Sequence, residues 1–335
     1  MKNMIPGMMQ LIVLAALSLL TVCNKAGKGN GPETDAGKDN QFRTVGYLMI
    51  NRADLAAAMT TIDWHKLTHL NLAFVNPDST GVFTINPGLA AVVQTAHDNQ
   101  VKVLMSLGGG SMPPWMNGLL TDSRRAAFIE AIVKVVDGYA LDGVDVDLEG
   151  SNIDGHYASF VSELSAALTP GKKLMTAAVA TWSGDGVPDE ALSRYDFINI
   201  MSYDKTGPWD PSVAGPHAPY DMAVSDLAYW GGRRKVPKEK LVLGLPFYGY
   251  GFGPGPVAST MSYRDIVDAY PGAADKDQVM MVDGETMYYN GISTIKSKTA
   301  LALQEAGGVM IWELTQDAQG QGSLLKHINE VITQH

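Results

Sequence analysis

Short apolar, β-branched runs recur along the chain, separated by longer stretches whose apolar positions fall at helical spacing. Eight runs read as strands: 44–50, 68–75, 101–107, 143–149, 174–180, 197–203, 241–248 and 309–314. Runs this apolar, lacking strict alternation, suit parallel strands covered on the outside by helices. Amphipathic stretches at 89–99, 123–139, 157–168, 292–306 and 323–333 supply helices, with Asp122 and Asp154 placed as caps near two helix starts. Strand–helix alternation repeated eight times predicts a closed α/β barrel, the (β/α)₈ or TIM barrel, in a single catalytic domain. A doubly wound open sheet is the alternative, weakened because no glycine-rich phosphate loop follows any strand. The longest connection follows the seventh strand. Its runs 279–283 and 285–289 flank Asp283-Gly284, a tight-turn signal, and predict a small hairpin insertion.

Composition narrows the class. Of 335 residues, 46% are hydrophobic and 18% charged, which excludes disorder as the main state. The 35 glycines show no three-residue period, so they mark turns rather than a collagen-like rod. A net charge of -10 without basic clusters argues against a nucleic-acid partner. A single cysteine excludes a disulfide framework and a Cys-based zinc site, and the seven histidines show no metal-ligand spacing. The neutral-ligand class is what remains.

Residues 1–22 read as an export signal, with Lys2 at the start and an apolar core at 11–20 too short to cross a bilayer comfortably. The apolar run stops at Leu20-Thr21-Val22-Cys23, which resembles a bacterial lipoprotein cleavage box in which Cys23 becomes the lipidated first residue. Val22 departs from the small residue usual before that cysteine, and a plain secretory signal is the alternative. Residues 23–41 are polar and aperiodic and predict a flexible tether. The expected product is an exported lipoprotein anchored to the bacterial cell envelope, touching membrane through its lipid alone, with the folded domain at 42–335.

The most informative stretch is LDGVDVDLEG at 141–150. Side chains alternate along a strand, so Asp145, Asp147 and Glu149 share one face and Val144, Val146 and Leu148 the other. Successive carboxylates then stand roughly 6.6 Å apart along the strand. Acidic residues are poor strand formers and costly to bury, so three in alternation need a use. An edge strand with a solvated acidic face, or a calcium site, are the plain alternatives. The apolar opposite face argues against the first, and calcium needs further oxygen ligands. Carboxylates at the end of a barrel strand read as catalytic, and crowding raises the pKa of one into the range of a general acid. Glu149, nearest the mouth and longest in reach, is the expected acid.

This string resembles the signature of glycoside hydrolase family 18, the chitinase family, at all four acidic positions and the glycine. The likeness continues through THLNLAFVN (68–76), KVLMSLGG (102–109), FINIMSYD (197–204), KVPKEKLVLGLPFYGYGF (235–252) and GGVMIWEL (307–314). The resemblance implies retaining, substrate-assisted hydrolysis of β-1,4-linked N-acetylglucosamine polymers without metal or organic cofactor. It implies that Glu149 donates a proton to the glycosidic oxygen. The substrate's own acetamido carbonyl is the nucleophile, Asp147 orients the acetamido N–H, Asp145 shares a proton with Asp147, and Tyr203 holds the acetamido oxygen. Asp142, off the acidic face, would support the strand. Asp204 would bind sugar, Trp312 would floor the cleaved subsite, and Tyr47, Phe74 and Met201 would wall it. Trp115, Trp182 and Trp209, in loops after the third, fifth and sixth strands, would either stack on sugars or pack their loops.

Three departures from the family pattern stand out. Leu148 replaces a frequent aromatic residue, and Tyr250 replaces a frequent arginine. The seventh connection also reads as too short for the α+β wall of deep-grooved members, which favours internal cleavage. Chitin or chito-oligosaccharides are therefore the expected partners of an endo-acting chitinase. The alternatives are an endo-β-N-acetylglucosaminidase cutting the chitobiose core of N-glycans and, against the intact acidic set, a non-catalytic chitin-binding lectin.

Overall fold

The computed structural model describes residues 41–253 and 258–335. The expected export signal, Cys23 and all of the tether except Gln41 lie outside the described residues. Eight parallel strands close a barrel: β1 (Arg43–Met49), β2 (His69–Ala73), β3 (Lys102–Gly108), β4 (Gly143–Asp147), β5 (Leu174–Val179), β6 (Phe197–Ile200), β7 (Leu241–Pro246) and β12 (Gly308–Trp312). Four further strands, β8 (Tyr248–Phe252), β9 (Ser259–Ser262), β10 (Gln278–Met280) and β11 (Thr286–Tyr288), form a separate antiparallel sheet. The helices in chain order are α1 (Leu55–Met59), α2 (Leu89–Asp98), α3 (Met116–Leu119), α4 (Arg125–Gly138), α5 (Tyr157–Leu168), α6 (Asp189–Arg194), α7 (Tyr220–Leu227), α8 (Tyr263–Ala269), α9 (Ile292–Glu305) and α10 (Leu324–Thr333). Closure joins the first and last barrel strands, with Val45 opposite Met310.

The strand period of two sorts the core. Leu70, Leu72, Val103, Met105, Val144, Val146, Leu243 and Ile311 face outward and merge with Val92, Ile132, Leu164 and Ile295 from the helices into one apolar cluster. Val45, Tyr47, Phe197, Val242 and Met310, of the other parity, fill the lumen in a second cluster. Each fully buried large side chain contributes about 1.5–3 kcal/mol, so the outward cluster is the main source of stability. Truncating Leu243 to Ala there costs about 2–5 kcal/mol.

Several predicted boundaries move, each for a local reason. The fourth strand pairs only as far as Asp147; Leu148 and Glu149 run on extended beyond the ladder. The sixth stops at Ile200, because Ser202 N–H turns back to the Ile200 carbonyl at 2.8 Å and Asp204 adopts a positive φ of 61°. The predicted seventh strand is two strands. Phe247 N–H bonds the Trp312 carbonyl at 2.8 Å, and the chain then leaves the barrel as β8.

The hairpin expected after the seventh strand is present. β10 and β11 pair antiparallel, with Gly284 at φ +88° in the turn. It forms the outer half of the sheet β10-β11-β8-β9, which α8 joins. The expectation that this connection lacks an α+β unit is thereby corrected. Tyr248–Phe252 read as a continuation of the preceding strand, and the polar Ser259–Ser262 carry no apolar signal. At α4, Asp122 does not cap backbone. It accepts from the Arg125 guanidinium at 2.8 Å, and Arg125 also reaches Glu163 on α5 at 2.8 Å. Asp154 accepts from His156 N–H at 2.8 Å and closes the turn leading into α5.

Candidate active site

The carboxyl ends of the barrel strands converge on one mouth, and the acidic row of β4 climbs the lumen toward it. Register places Ser106 on β3 and Thr176 on β5 directly beside Asp145. Asp145 is fully buried and accepts four hydrogen bonds: from Tyr47 Oη at 2.6 Å, Ser106 Oγ at 2.8 Å, Thr176 Oγ1 at 2.6 Å and Asn199 Nδ2 at 3.2 Å. Burial raises the Asp145 pKa while those donors oppose the rise. Asp142, on the opposite parity, accepts from Val103 N–H at 2.7 Å and lies 2.8 Å from His97 Nε2. It braces β4 against β3 and α2, as expected of a residue off the acidic face.

One step up the strand the environment reverses. Asp147 is 3% exposed, and its Oδ1 has no hydrogen-bond partner. Burial first, then the charges of Glu149 and Asp145, push its pKa well above the carboxylate range. The lower carboxylate, wrapped in donors, is the better place for negative charge, and the upper one for a proton. Glycines make room beside it. A Cβ on Gly108 (φ +106°) would lie 2.1 Å from the Asp147 carbonyl, and one on Gly109 (φ +87°) would lie 2.4 Å from the Phe74 ring. The Ser-x-Gly-Gly stretch thus lets Phe74 lean into the mouth.

Glu149, partly buried, sits above Asp147. Burial, with the Asp204 charge behind it, pushes its pKa up to about 6. Such a group carries a proton in mildly acidic water and can give and retrieve it, the requirement for a general acid–base. Tyr203 lies buried beyond the end of β6, its hydroxyl 3.8 Å from Met310 Sδ. Burial and the surrounding carboxylates raise its pKa, so the phenol remains a donor. Asp204, next in sequence, accepts from Tyr248 Oη at 2.5 Å.

Trp312 closes the floor. Its ring stacks on Phe74 at 5.6 Å and 26° and tilts against Tyr47 at 5.3 Å. The Ala73–Phe74 and Trp312–Glu313 peptide bonds are cis. Two cavities lie at this end of the barrel. One of about 510 Å³ is lined by Phe74, Trp312, Asn51, Asn76 and Gly110 among others. The second, of about 690 Å³, is lined by Glu149, Met201, Tyr203, Asp204, Trp182 and Trp209 among others. A Cβ on Gly110, which lines the first cavity, would stand 3.5 Å from Glu149 Oε1, so the acid that lines the second cavity lies beside a residue of the first.

Of the site residues named from the sequence, Phe74 and Trp312 line the first cavity, Glu149, Met201, Tyr203 and Asp204 line the second, and Asp147, Asp145 and Tyr47 are buried in the lumen beneath. Trp182 is 71% exposed over the second cavity, and Trp209 packs edge-on to Tyr250 at 5.8 Å. The Trp115 indole N–H donates to the Pro77 carbonyl at 3.1 Å and pins one loop to another. Tyr250, where arginine is frequent, is buried against the His217 ring at 4.9 Å. Sequence reasoning missed Ser106, Thr176 and Asn199. Their signal was a polar residue at inward parity in an otherwise apolar strand.

The family model for glycosyl hydrolases family 18 matches residues 43–317. Among solved structures, the chain resembles a chitinase of that family from the chitin utilization locus of Flavobacterium johnsoniae, with TM-score 0.80 and 38% identity over 88% of this chain and 94% of that one. It also resembles a chitinase from Bacteroides thetaiotaomicron, with TM-score 0.75 and 31% identity over 88% of this chain and 97% of that one. A curated relative, a chitinase-like effector of Moniliophthora roreri, is 33% identical over 226 residues, covering 58% of this chain and 55% of its own length. The chain spans about half the length of the curated relatives it matches first.

Proposed function

The chain belongs to glycosyl hydrolases family 18, and from that premise we propose that it is a retaining endo-chitinase cutting β-1,4-linked N-acetylglucosamine chains by substrate assistance. The observation that carries this reading is Glu149. It is a carboxyl group whose pKa is pushed up to about 6, lining one cavity and next to Gly110 of the other, with Asp147 beneath it and the Tyr203 phenol beside the same cavity. In this reading the sugar to be cleaved rests on Trp312, and the chain extends into both cavities, as internal cleavage requires.

Glu149 gives its proton to the glycosidic oxygen as the bond to the anomeric carbon breaks. The acetamido carbonyl oxygen of the same sugar attacks that carbon and forms an oxazolinium ion, and the leaving chain departs with a hydroxyl. Asp147 accepts from the acetamido N–H, and its unpartnered oxygen fits that task. Tyr203 donates to the attacking oxygen. Water then adds to the anomeric carbon from the vacated face, losing its proton to Glu149. The configuration is retained and the acid restored. The chitinases named among the similar structures support chitin as the substrate class. Cys23 is proposed as a lipid attachment site that tethers the domain to the cell envelope.

Chitohexaose and a high-mannose glycoprotein, each incubated with the protein and with Glu149→Gln, test the assignment by product mass. Short N-acetylglucosamine oligomers from the wild type alone are the expected result. Released N-glycans with chitohexaose intact would move the activity to an endo-β-N-acetylglucosaminidase, and no product from either substrate would remove the hydrolase reading for both.

A further inference from the structure

The acid is not the only titratable group arranged around Asp204. His217, at the far end of the loop that Asp204 begins, is completely buried, with its ring 4.9 Å from both Tyr248 and Tyr250. Its Nε2 lies 3.3 Å from the Tyr248 carbonyl oxygen, and its Nδ1 lies 3.6 Å from Asp204 Oδ1 with no other partner. Both ring nitrogens thus face acceptors only. A neutral imidazole has a single N–H, so one buried lone pair would point at a carbonyl or at a carboxylate. An imidazolium, with two N–H groups, suits both neighbours.

We infer that His217 is protonated on both nitrogens and pairs with the partly exposed Asp204 carboxylate, acting as a positioning residue that sets how tightly Glu149 holds its proton. This inference rests on the reading of Glu149 as the acid and adds to it the control of its working range. Asp204 is the charge that, after burial, raises the Glu149 pKa. A cation 3.6 Å from Asp204 offsets part of that field, so His217 restrains the rise.

The other groups around the pair leave this assignment in place. Tyr248 Oη donates to Asp204, and burial together with the Asp204 charge pushes the Tyr250 phenol up, so both phenols stay neutral. From α9, the buried Lys298 ammonium donates to the Ala218 carbonyl at 2.7 Å and to Asn290 Oδ1 at 2.8 Å. It fixes the backbone one residue beyond His217 without competing for Asp204. Lys205 N–H bonds the His217 carbonyl at 2.9 Å and closes the base of the same loop. Sequence carried no sign of this role, since a lone loop histidine has no spacing to read.

The test has two arms. Two-bond ¹H–¹⁵N spectra of the imidazole nitrogens at pH 6, assigned with His217→Gln, should show both His217 nitrogens protonated. A single neutral tautomer with bare Nδ1 overturns the inference whether or not the protein cleaves chitin. In the second arm, the kcat pH profile on chitohexaose is compared between wild type and His217→Gln. Loss of the cation leaves Asp204 unopposed, so the alkaline limb should move up by about half a pH unit or more. In an Asp204→Asn background the same substitution should leave the limb where it is. An unmoved limb in a His217→Gln protein with native circular dichroism also overturns the inference. A wild type that cleaves nothing sinks the proposed function instead, while the spectra still decide the pair.

Discussion

Asp145 and Asp147 stand two residues apart on one strand face, both buried in the same lumen, yet the layers around them are built in opposite ways. Around Asp145, four strands other than its own send in a hydroxyl or an amide, and the carboxylate is saturated. Around Asp147, the Gly108–Gly109 backbone packs against its carbonyl, and the carboxyl Oδ1 is left without a partner. The lower layer fixes position and holds charge; the upper one, with Glu149, keeps protons and a free acceptor for whatever enters. Burial alone does not decide what a carboxylate does. The number of donors aimed at it does.

The largest expected effect lies at the top of the row. Glu149→Gln keeps the shape and removes the transferable proton, so kcat should fall by about 10²–10⁴-fold while oligomer binding persists. Steady-state kinetics beside calorimetric titration check both parts. Next, Asp147→Asn and Asp145→Asn should separate stability from activity. Asp147→Asn replaces a buried carboxyl whose pKa is raised and whose Oδ1 lacks a partner, so thermal unfolding should shift little or upward. Its kcat should still drop about a hundredfold through misplacement of the acetamido group. Asp145→Asn turns an amide N–H toward a ring of donors and should destabilise the fold by about 1–3 kcal/mol in urea titrations. Equal stability losses in the two variants would erase the contrast between the layers.

A smaller effect follows pH. Because the native pKa of Glu149 is raised from 4.5 to about 6, the folded state binds its proton more tightly than the unfolded chain. Its contribution is full below 4.5 and fades as pH rises through 6. Wild type should lose about 2 kcal/mol relative to Glu149→Gln across that interval, measured as the difference between their urea-unfolding free energies. The alkaline limb of kcat should fall near the same pH. Smallest is Trp182→Ala. An exposed ring contributes within about 0.5 kcal/mol to stability, so unfolding should be unchanged while KM for long oligomers rises.

Much of this was legible in the sequence because the strand period is local. Val144, Val146 and Leu148 against Asp145, Asp147 and Glu149 announce which face meets helices and which meets the lumen. The eight-strand count and the hairpin turn at Asp283-Gly284 followed from the same kind of pattern. The outer sheet did not, since Tyr248–Phe252 continue an apolar run and only the Phe247–Trp312 backbone bond reveals the break. Nor did the partners of Asp145. Tyr47, Ser106, Thr176 and Asn199 are spread over about 150 positions, and inter-strand register alone brings them together.

The ring of donors has a consequence for how the molecule comes into being. Tyr47 is on the first barrel strand, and β1 is held in place by pairing with β12, so Arg43 meets Gly308 across nearly the whole folded chain. Contacts that far apart in sequence are the slowest to form, whereas helices and neighbouring strand pairs assemble early. During renaturation, helical circular dichroism should return before hydrolytic turnover does. A chain truncated ahead of β12 should regain part of the former and none of the latter.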